Sequence, residues 1–336
     1  MTILLARNLK VFFLMHVTIV IVNFRTPELT IQCLHALSVS QDGKIKFNVL
    51  IIDNKSADDS ILQINEWIEN SGSPREMKLI ENCVNNGFSS GNNVGINEST
   101  SEYILLLNSD SLVSYQSIEL LVKLLQDNPN VGIASPRLEW PDGRPQESCF
   151  RFQRPISELI SSACTGLVTS LLRRYEVALA VSEEVSCPEW TSFACVMIRR
   201  EVFDQVGLLD EGFFMYFEDV DFCRRARAAG WGVLCSPEAR AVHLRGGSSP
   251  LKSQAAQKKR LPRYFYESRT RYYYRYFGYL GLFTANIFWH LGWTIAMVRK
   301  LVDRDYKPNV CEKQWRDIWT NFFNPTAPYT HPDNYS

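Results

Sequence analysis

The first half of the chain alternates between short apolar runs and longer amphipathic stretches. Aliphatic and β-branched side chains fill residues 17–22, 47–52 and 103–107, and a shorter run occupies 77–80. Continuous apolar runs of this length suit strands that are buried on both faces, as in a parallel sheet. Helical spacing between the runs predicts βαβ units with right-handed crossovers, and therefore an α/β fold with a mostly parallel sheet.

Helix-capping side chains and a glycine set the ends of further predicted elements. Ser56 and Asp58 are predicted to cap a helix, and residues 218–229 form a second predicted helix that stops at a glycine. The spacing of apolar positions also predicts a largely helical segment over 155–179 and a strand over 190–198.

Polar residues stand where several of the predicted strands end. In an open parallel sheet the carboxyl ends of the strands share one edge, and ligands bind in the crevice there. The sequence therefore places a candidate site at this edge, formed by Asn23, Asp53, Asn54, Asn86, Gly87 and residues 108–110.

Composition and charge narrow the class of protein. The chain of 336 residues is 46% hydrophobic, which is enough for a globular core, and its 36 basic side chains balance its 36 acidic ones. A balanced charge gives no extended positive field, so we expect no nucleic-acid partner. The nine cysteines form no C-x-x-C pair, which favours mostly buried free thiols in a reducing cytoplasm over zinc or redox sites.

Two positions carry side chains that suit a divalent cation. Asp110 follows the apolar run at 103–107, where a carboxylate can hold Mg²⁺ or Mn²⁺ against a diphosphate. The alternative is a helix cap, since a helical pattern follows. His243 lies between an apolar strand and a glycine pair, although a lone histidine is more often structural. The residues alone leave both alternatives open.

Glu218, Asp219 and Asp221 lie within one helical turn, directly after a cluster of aromatic residues. Mutual repulsion and partial burial raise the proton affinity of at least one carboxylate, as a general base requires. The alternative is an acidic first turn that is stabilised by the helix dipole and by pairing with Arg224 and Arg225. The pattern does not select one of the three carboxylates as the base.

The segment 85–93 is rich in asparagine, glycine and serine, and it offers amide groups near the predicted edge. It contains neither the G-x-G-x-x-G nor the GK[ST] phosphate motif, which disfavours dinucleotide binding of the usual kind. A nucleotidyltransferase is one enzyme class that a parallel sheet of this kind could serve, but no glycine-rich phosphate loop with lysine follows the first strand. A glycan-binding protein without catalysis is a further alternative, which Asp110, Asp219 and His243 disfavour.

Seven segments follow one another along the chain: VTIVIVNFRT, VLIIDNKSADDS, NNGFSSGNNVGI, EYILLLNSD, WPDGRPQES, GLLDEGFFMYFEDVDFCRRARAAGWGV and AVHLRGGSS. Together they resemble family 2 inverting glycosyltransferases of the Rossmann-like GT-A fold, especially the bacterial rhamnosyltransferase-like branch. They span roughly residues 16–250, far more than one short motif. The resemblance implies a GT-A catalytic domain at 15–250. Because Met15 directly precedes the first apolar run, residues 1–14 are predicted to be an extension outside the fold or to result from an upstream start codon. Residues 251–336 form a predicted C-terminal helical region.

The resemblance also implies roles for individual residues. Asp219 is similar to the catalytic base of the family, and Glu218 and Trp190 are similar to residues that line the acceptor site. Asp110 and His243 are similar to ligands of Mg²⁺ or Mn²⁺. The nucleotide pocket is implied to include Asn23, Asp53 and Asn93.

The implied reaction is a single displacement that inverts C1 of a sugar carried on dTDP, UDP or GDP, with rhamnose favoured. The acceptor is a glycan or a lipid-linked saccharide in cell-surface polysaccharide biosynthesis, and the loop at 245–263 folds over the phosphates. Two positions depart from the family pattern. Asn108 replaces an aspartate of the metal motif, and Phe193 replaces a glycine beside the acceptor site.

An uncharged run over 277–298 is flanked by aromatic residues and arginines. It is long enough for about one bilayer crossing, but Asn286 and His290 interrupt it. The flanking residues favour a helix that lies in the membrane interface, with packing on the protein and spanning as alternatives. An interfacial helix places the enzyme in the cytoplasm, at the inner face of the cytoplasmic membrane.

Overall fold

The computed structural model describes residues 15–38, 45–72, 76–244, 251–303 and 305–334. The predicted extension at 1–14 and residues 245–250 of the predicted phosphate-covering loop lie outside these ranges. The strands are β1 (Met15–Asn23), β2 (Ile45–Asp53), β3 (Met77–Glu81), β4 (Tyr103–Asn108), β5 (Ser111–Val113), β6 (Val131–Glu139), β7 (Cys149–Phe150), β8 (Trp190–Thr191), β9 (Cys195–Arg199) and β10 (Gly232–His243). The helices are α1 (Pro27–Ser38), α2 (Ser60–Asn70), α3 (Gly87–Glu98), α4 (Tyr115–Asp127), α5 (Ser157–Ala163), α6 (Gly166–Leu171), α7 (Arg200–Val206), α8 (Glu218–Ala228), α9 (Leu251–Ala256), α10 (Arg263–Val302) and α11 (Gln314–Asp317).

The main sheet has the strand order β3-β2-β1-β4-β9-β6-β10-β5. Strands β1 to β4 pair in parallel, as do β6 and β10, whereas β9 runs antiparallel to β4 and β6, and β5 runs antiparallel to β10. The predicted α/β fold with a mostly parallel sheet is confirmed. Because β9 lies between β4 and β6, it joins the amino-terminal half of the sheet to the half that ends at His243.

Apolar side chains on both faces explain why these runs form strands. Alternate residues of a strand point to opposite faces. In β1, Ile19 and Ile21 pack into one core cluster with α1, α2 and α4, while Val20 packs into a second cluster with α3, α7, α8 and α10. Both faces of the sheet are therefore covered by helices, and the polar edge of the sheet is left for a ligand.

The carboxyl ends of β1 and β2 meet at this edge, as predicted. Asn23 donates to Asp53 Oδ1 at 2.7 Å, and Asn54 donates to the Gly87 carbonyl at 3.0 Å. A Cβ atom at Gly87, which has φ +86°, would lie 2.0 Å from the carbonyl oxygen of Phe214. Glycine is therefore required where α3 begins, because only glycine permits both this φ and this approach.

Three local predictions differ from the structure. Residues 190–198 form two strands, because β8 pairs with β7 in a separate sheet while β9 joins the main one. Residues 155–179 are helical only in pieces, since Cys164 adopts a left-handed conformation with φ 47° that ends α5. Ser56 does not cap α2, because its side chain bonds to the end of β2, whereas Asp58 accepts a hydrogen bond from the first amide of α2 at 2.9 Å.

The C-terminal helix α10 confirms the predicted helical extension but is interrupted at Gly278, which has φ 64° and ψ −170°. Its first half, residues 263–277, joins the second core cluster through Tyr272 and Tyr273. Its second half, residues 279–302, packs on α5. In the described ranges, no helix has both the length and the apolar character that crossing a bilayer requires.

The thiols are free, but they are not all buried. Cys33, Cys195, Cys223 and Cys235 are buried, whereas Cys83, Cys164 and Cys187 are exposed. The prediction of mostly buried thiols therefore holds only in part.

Candidate active site

The pairing of two strands brings Asp110 and His243 together. Asp110 lies between β4 and β5, and β5 pairs with the end of β10 so that His243 stands opposite Ser111. His243 Nε2 is 3.4 Å from Asp110 Oδ1, and Gln146 Nε2 donates to the His243 carbonyl at 2.7 Å. Asp110 does not cap the following helix, because the side chain of Ser114 caps α4. The two residues that the sequence suggested for a cation are thus buried neighbours.

Several polar atoms at this position have no hydrogen-bond partner among the described residues. Asn108 Oδ1, Asp110 Oδ1 and His243 Nδ1 are buried without a hydrogen bond to any residue that the structure describes. An unpaired buried polar atom costs about 1–3 kcal/mol, so this donor set fits a bound group better than a closed protein core. Carboxylate oxygen and imidazole nitrogen are both known ligands of divalent cations.

The described residues contain no group of three or more His, Cys, Asp or Glu side chains that could hold a metal ion. Mg²⁺ is commonly bound through one or two carboxylates together with water and substrate phosphates. The pair formed by Asp110 and His243 fits that mode of binding, in which the nucleotide completes the site.

The chain enters α8 through two residues in left-handed conformations. Tyr216 and Phe217 both have φ 70°, a conformation that costs an estimated 1–3 kcal/mol for a non-glycine residue and often occurs at functional sites. The first two residues of α8 follow directly: Glu218 is buried, and Asp219 Oδ1 accepts a hydrogen bond from the amide of Val220 at 2.8 Å.

Asp221 has a different environment from its two acidic neighbours. Its Oδ2 lies 2.9 Å from Arg225 Nε, its Oδ1 lies 2.8 Å from Arg275 Nη1, and Tyr276 OH donates to the same Oδ1 at 2.7 Å. The predicted pairing with Arg225 is confirmed. Arg224 does not pair with Asp221 but lies over the Tyr276 ring, 4.1 Å from its centroid. Asp221 is thus an ion-paired structural residue.

Burial raises the pKa of Glu218 well above its ordinary range, and the charge of Asp219 raises it further. Glu218 Oε2 has no hydrogen-bond partner among the described residues. The raised proton affinity that the sequence predicted for one of the three carboxyls therefore falls on Glu218. A carboxyl that keeps its proton is a hydrogen-bond donor rather than a base, which suits contact with a sugar hydroxyl.

We expect the Glu218→Gln variant to gain stability over the wild type as pH rises. The unfolded chain ionises this carboxyl near pH ~4.3, whereas the buried carboxyl keeps its proton to higher pH. Wild-type stability therefore falls between the two pKa values, by up to about 1.4 kcal/mol per pH unit, and glutamine removes this loss. Thermal unfolding of both proteins across this pH range measures the effect; a difference that stays constant with pH would contradict the raised pKa.

These side chains line a cavity of about 410 Å³ at the edge of the sheet. Its volume lies within the range of small-molecule sites, about 300–1,000 Å³. The lining combines an aromatic ring, a cation, carboxylates and an imidazole: Phe24, Arg25, Asp110, Glu218, Asp219 and His243. This mixture suits a ring system beside Phe24, and it suits a negatively charged ligand when a divalent cation offsets the carboxylates.

A second cavity of about 460 Å³ lies between α5, α8 and α10. Asp219 and Tyr216 line both cavities, whereas Trp190 lines the second. Trp190 stacks on Phe150 with ring centroids 4.2 Å apart, and its Nε1 donates to the Arg151 carbonyl at 2.9 Å, so the ring is held in place. Asp219 therefore stands at the boundary of two cavities.

The side chains of Asn23 and Asp53 are fully buried and do not line the first cavity. Asp53 Oδ1 accepts hydrogen bonds from Asn23 and from the Ser56 hydroxyl, and Oδ2 accepts one from the Ser56 amide. The nucleobase contact implied for Asp53 stays a prediction, since a carboxylate has about four acceptor sites and these hydrogen bonds use three of them. Ser56 Oγ in turn accepts a hydrogen bond from the Arg25 amide at 2.9 Å. Asn23, Asp53 and Ser56 together therefore position Arg25, which lines the cavity.

Asn93 also has protein partners. Its Nδ2 donates to the Leu209 carbonyl and to Glu211 Oε1, each at 2.9 Å, and its Oδ1 accepts from the Leu209 amide at 3.1 Å. The side chain is buried and does not line the cavity. The nucleotide contact implied for Asn93 stays a prediction. In this structure the side chain fixes the segment that leads to Glu218 against α3.

The C-terminal tail reaches the first cavity, a contact that was not predicted from the sequence. His331 Nε2 lies 2.7 Å from the Asn85 carbonyl, and Tyr329 OH donates to the Asn86 carbonyl at 3.3 Å. Residues 331–333 line the cavity. The sequence signals this contact only by a histidine in a short polar tail. A histidine alone does not indicate that its partner lies near residue 85.

Known families and relatives match the chain. Residues 18–176 match the family described as Glycosyl transferase family 2, and residues 103–303, more than half of the chain, match Glycosyl transferase family group 2. The low-salt glycan biosynthesis hexosyltransferase Agl10 of Haloferax volcanii is 28% identical over 62% of this chain and 61% of that protein. An N-acetylglucosaminyl-diphospho-decaprenol L-rhamnosyltransferase of Mycobacterium tuberculosis is 30% identical over 47% of this chain and 53% of that protein. The chain thus spans less than two thirds of the length of these relatives.

Solved structures share the fold at low identity. The mannosyltransferase PcManGT of Pyrobaculum calidifontis, solved with GDP-Man and Mn²⁺, has a TM-score of 0.51 at 16% identity over 92% of this chain and 85% of that chain. GalNAc-T7, solved with UDP, GalNAc and Mn²⁺, has a TM-score of 0.53 at 16% identity over 77% of this chain and 50% of that chain. The predicted GT-A fold is confirmed. With these motifs in this order on this fold, and with family matches that run from residue 18 to residue 303, the chain belongs to glycosyltransferase family 2.

Proposed function

We propose that this protein is an inverting, metal-dependent glycosyltransferase. It moves a sugar, with L-rhamnose favoured, from a dTDP-, UDP- or GDP-sugar to a glycan or lipid-linked saccharide in cell-surface polysaccharide biosynthesis. One observation carries the proposal: Asp219 lines two adjoining cavities. A donor in the first cavity and an acceptor in the second would meet at this carboxylate.

In the proposed reaction Asp219 accepts the proton of the acceptor hydroxyl. The hydroxyl oxygen forms a bond to C1 of the donor sugar while the bond from C1 to the diphosphate oxygen breaks, and the electron pair leaves with the nucleoside diphosphate. Attack from the face opposite the diphosphate inverts C1. Glu218, which lines the first cavity beside Asp219, donates a hydrogen bond to the acceptor hydroxyl where the acceptor meets the donor, and Trp190 packs against the sugar ring of the acceptor in the second cavity.

We assign Asp110 and His243 to a divalent cation, Mg²⁺ or Mn²⁺, and the unpaired buried atoms at this position support the assignment. When bound, the cation supplies Lewis-acid stabilisation of the departing diphosphate. Arg25 adds positive charge in the same cavity. We assign the nucleotide pocket to Asp53, the main chain near Asn23 and the side chain of Asn93. Asn23 and Asp53 also position Arg25 through Ser56.

We place the enzyme in the cytoplasm, peripherally at the inner face of the cytoplasmic membrane. The Mycobacterium tuberculosis relative is named for an acceptor in which the sugar is linked to decaprenol through a diphosphate. An acceptor of that class would lie at a membrane surface while its saccharide enters the second cavity.

A panel of sugar nucleotides tests the proposal. We expect one of dTDP-rhamnose and the UDP- and GDP-sugars to release a nucleoside diphosphate slowly in the presence of Mn²⁺ or Mg²⁺, and the same nucleotide to raise the melting temperature. A nucleotidyltransferase would exchange inorganic pyrophosphate instead. A glycan-binding protein would bind saccharides without responding to any nucleotide. Either of these results, without release of a nucleoside diphosphate, would refute the proposal.

A further inference from the structure

One side of the second half of α10 is apolar and exposed. The exposed residues recur every three or four positions and so form one stripe along the helix. Leu280 is 75% exposed and Leu301 is 82% exposed. At 1.5 Å per residue, the stripe is about 33 Å long. It consists of Leu280, Phe283, Ile287, Leu291, Ile295, Val298, Leu301 and Val302.

The opposite side of this helix is already used in packing. A Cβ atom at Gly292 would lie 2.5 Å from the Leu159 carbonyl and 2.1 Å from Ser162 Oγ, so α10 and α5 are in close backbone contact. Leu282 and Trp289 are buried on that side. The helix is therefore apolar on both sides, and the residues that the structure describes cover only one of them.

A second exposed apolar group lies beside the end of the stripe. Leu167 and Leu171 are one helical turn apart on α6, and each is 83% exposed. Helix α6 begins just after Cys164, whose carbonyl accepts a hydrogen bond from Arg299 at 3.5 Å. The two leucines are thus brought close to the end of α10. We define the α10 stripe together with Leu167 and Leu171 as the apolar surface.

Exposed cations border this surface at the same end. Arg173 and Arg174 follow α6 after Leu172, and Arg299 and Lys300 stand in the last turn of α10. Asp303, 3.9 Å from Arg299, offsets one of these charges. Cations that flank exposed leucines are complementary to anionic head groups above an acyl layer.

We infer that the apolar surface binds an anionic lipid bilayer, with the stripe and the two leucines at the acyl boundary and the arginines at the phosphates. The inference rests on the peripheral location in the proposed function and deepens it by naming the surface and the class of lipid; vesicle binding can fail while nucleotide-sugar turnover remains, so the two proposals are tested separately. Helices α5 and α10 also form a wall of the second cavity through Glu158 and Trp289. Docking by the outer side of α10 would bring the cavity that Asp219 and Trp190 line close to the lipid head groups.

Co-sedimentation of the full-length protein with vesicles tests the inference. We expect the wild type to bind vesicles of phosphatidylcholine and phosphatidylglycerol, and to bind pure phosphatidylcholine vesicles more weakly. The double variant Leu291→Glu and Leu301→Glu should bind at least about tenfold more weakly for each leucine withdrawn. The double variant Arg173→Gln and Arg174→Gln should lose the preference for the anionic vesicles.

Leu62→Glu is the matched control, because Leu62 is 61% exposed on α2 and lies outside the apolar surface. Unchanged melting temperatures show that the variants are folded. Three results would overturn the inference: no binding of the wild type to anionic vesicles, an equal loss in Leu62→Glu, or light scattering that shows a wild-type dimer which the Leu291 and Leu301 changes dissociate. The last result would assign the surface to a second copy of the chain.

Discussion

The Asp219→Asn variant is expected to bind the donor nucleotide as the wild type does and to lose about a hundredfold to ten-thousandfold in the rate of transfer. Asparagine keeps the size of the side chain and can still accept the hydrogen bond from the Val220 amide, but it cannot take a proton from the acceptor. Single-turnover transfer and calorimetric titration of the nucleotide measure the two properties separately. A loss of nucleotide affinity equal to the loss of rate would show that Asp219 serves binding and not proton transfer.

Asp221→Asn is the matched control for this experiment. The side chain is buried and pairs with Arg225 and Arg275, so its change should lower the free energy of unfolding by about 1.5–3 kcal/mol and affect transfer much less. Melting temperatures and single-turnover rates of the two variants form a cross-test. If Asp221→Asn abolishes transfer while Asp219→Asn retains it, the assignment of the base is wrong.

Asp110→Ala and His243→Ala are expected to weaken the metal-dependent part of nucleotide binding at least about 10–100-fold. Changes in residues that only hydrogen-bond to the ligands of a metal already lower metal affinity by about that factor. Asp110 Oδ1 and His243 Nδ1 have no hydrogen-bond partners in the described part of the protein, so their loss should not cause a large loss of stability. Nucleotide titrations with and without Mn²⁺ measure the effect.

Asp142→Ala removes the same charge from an exposed turn outside the first cavity and should leave the metal dependence unchanged. If Asp110→Ala and His243→Ala both keep the wild-type response to Mn²⁺, the cation is held elsewhere. A fall in nucleotide affinity that is the same with and without Mn²⁺ would assign the two residues to the nucleotide instead.

The sheet and its polar edge could be predicted because their signals are local. A buried parallel strand has its own apolar signature, so residues 17–22 and 47–52 identify β1 and β2 without knowledge of their neighbours. Once these strands are parallel, topology alone brings their carboxyl ends together, and with them Asn23 and Asp53. The position of Asp110 follows from the same argument.

The partners of individual side chains could not be predicted, because they lie far apart in sequence. His331 meets Asn85 across 246 positions, and Asp221 meets Arg275 across 54. Glu218, Asp219 and Asp221 lie in one helical turn, and their spacing does not show which of them pairs with an arginine from another helix. For Asp53, the local sequence predicts its position at the edge of the sheet but not the hydrogen bonds that its two oxygens accept.

The ion pairs on α10 limit how this transferase can be recombined with its relatives. Arg275 pairs with Asp221 on the helix that carries the proposed base, and Arg269 lies 2.9 Å from Glu158 on α5. A chimera that joins residues 15–250 to a foreign tail would leave the buried carboxylate of Asp221 with one arginine fewer. An exchange of acceptor specificity that keeps the enzyme active would therefore have to transfer α5, α8 and α10 together.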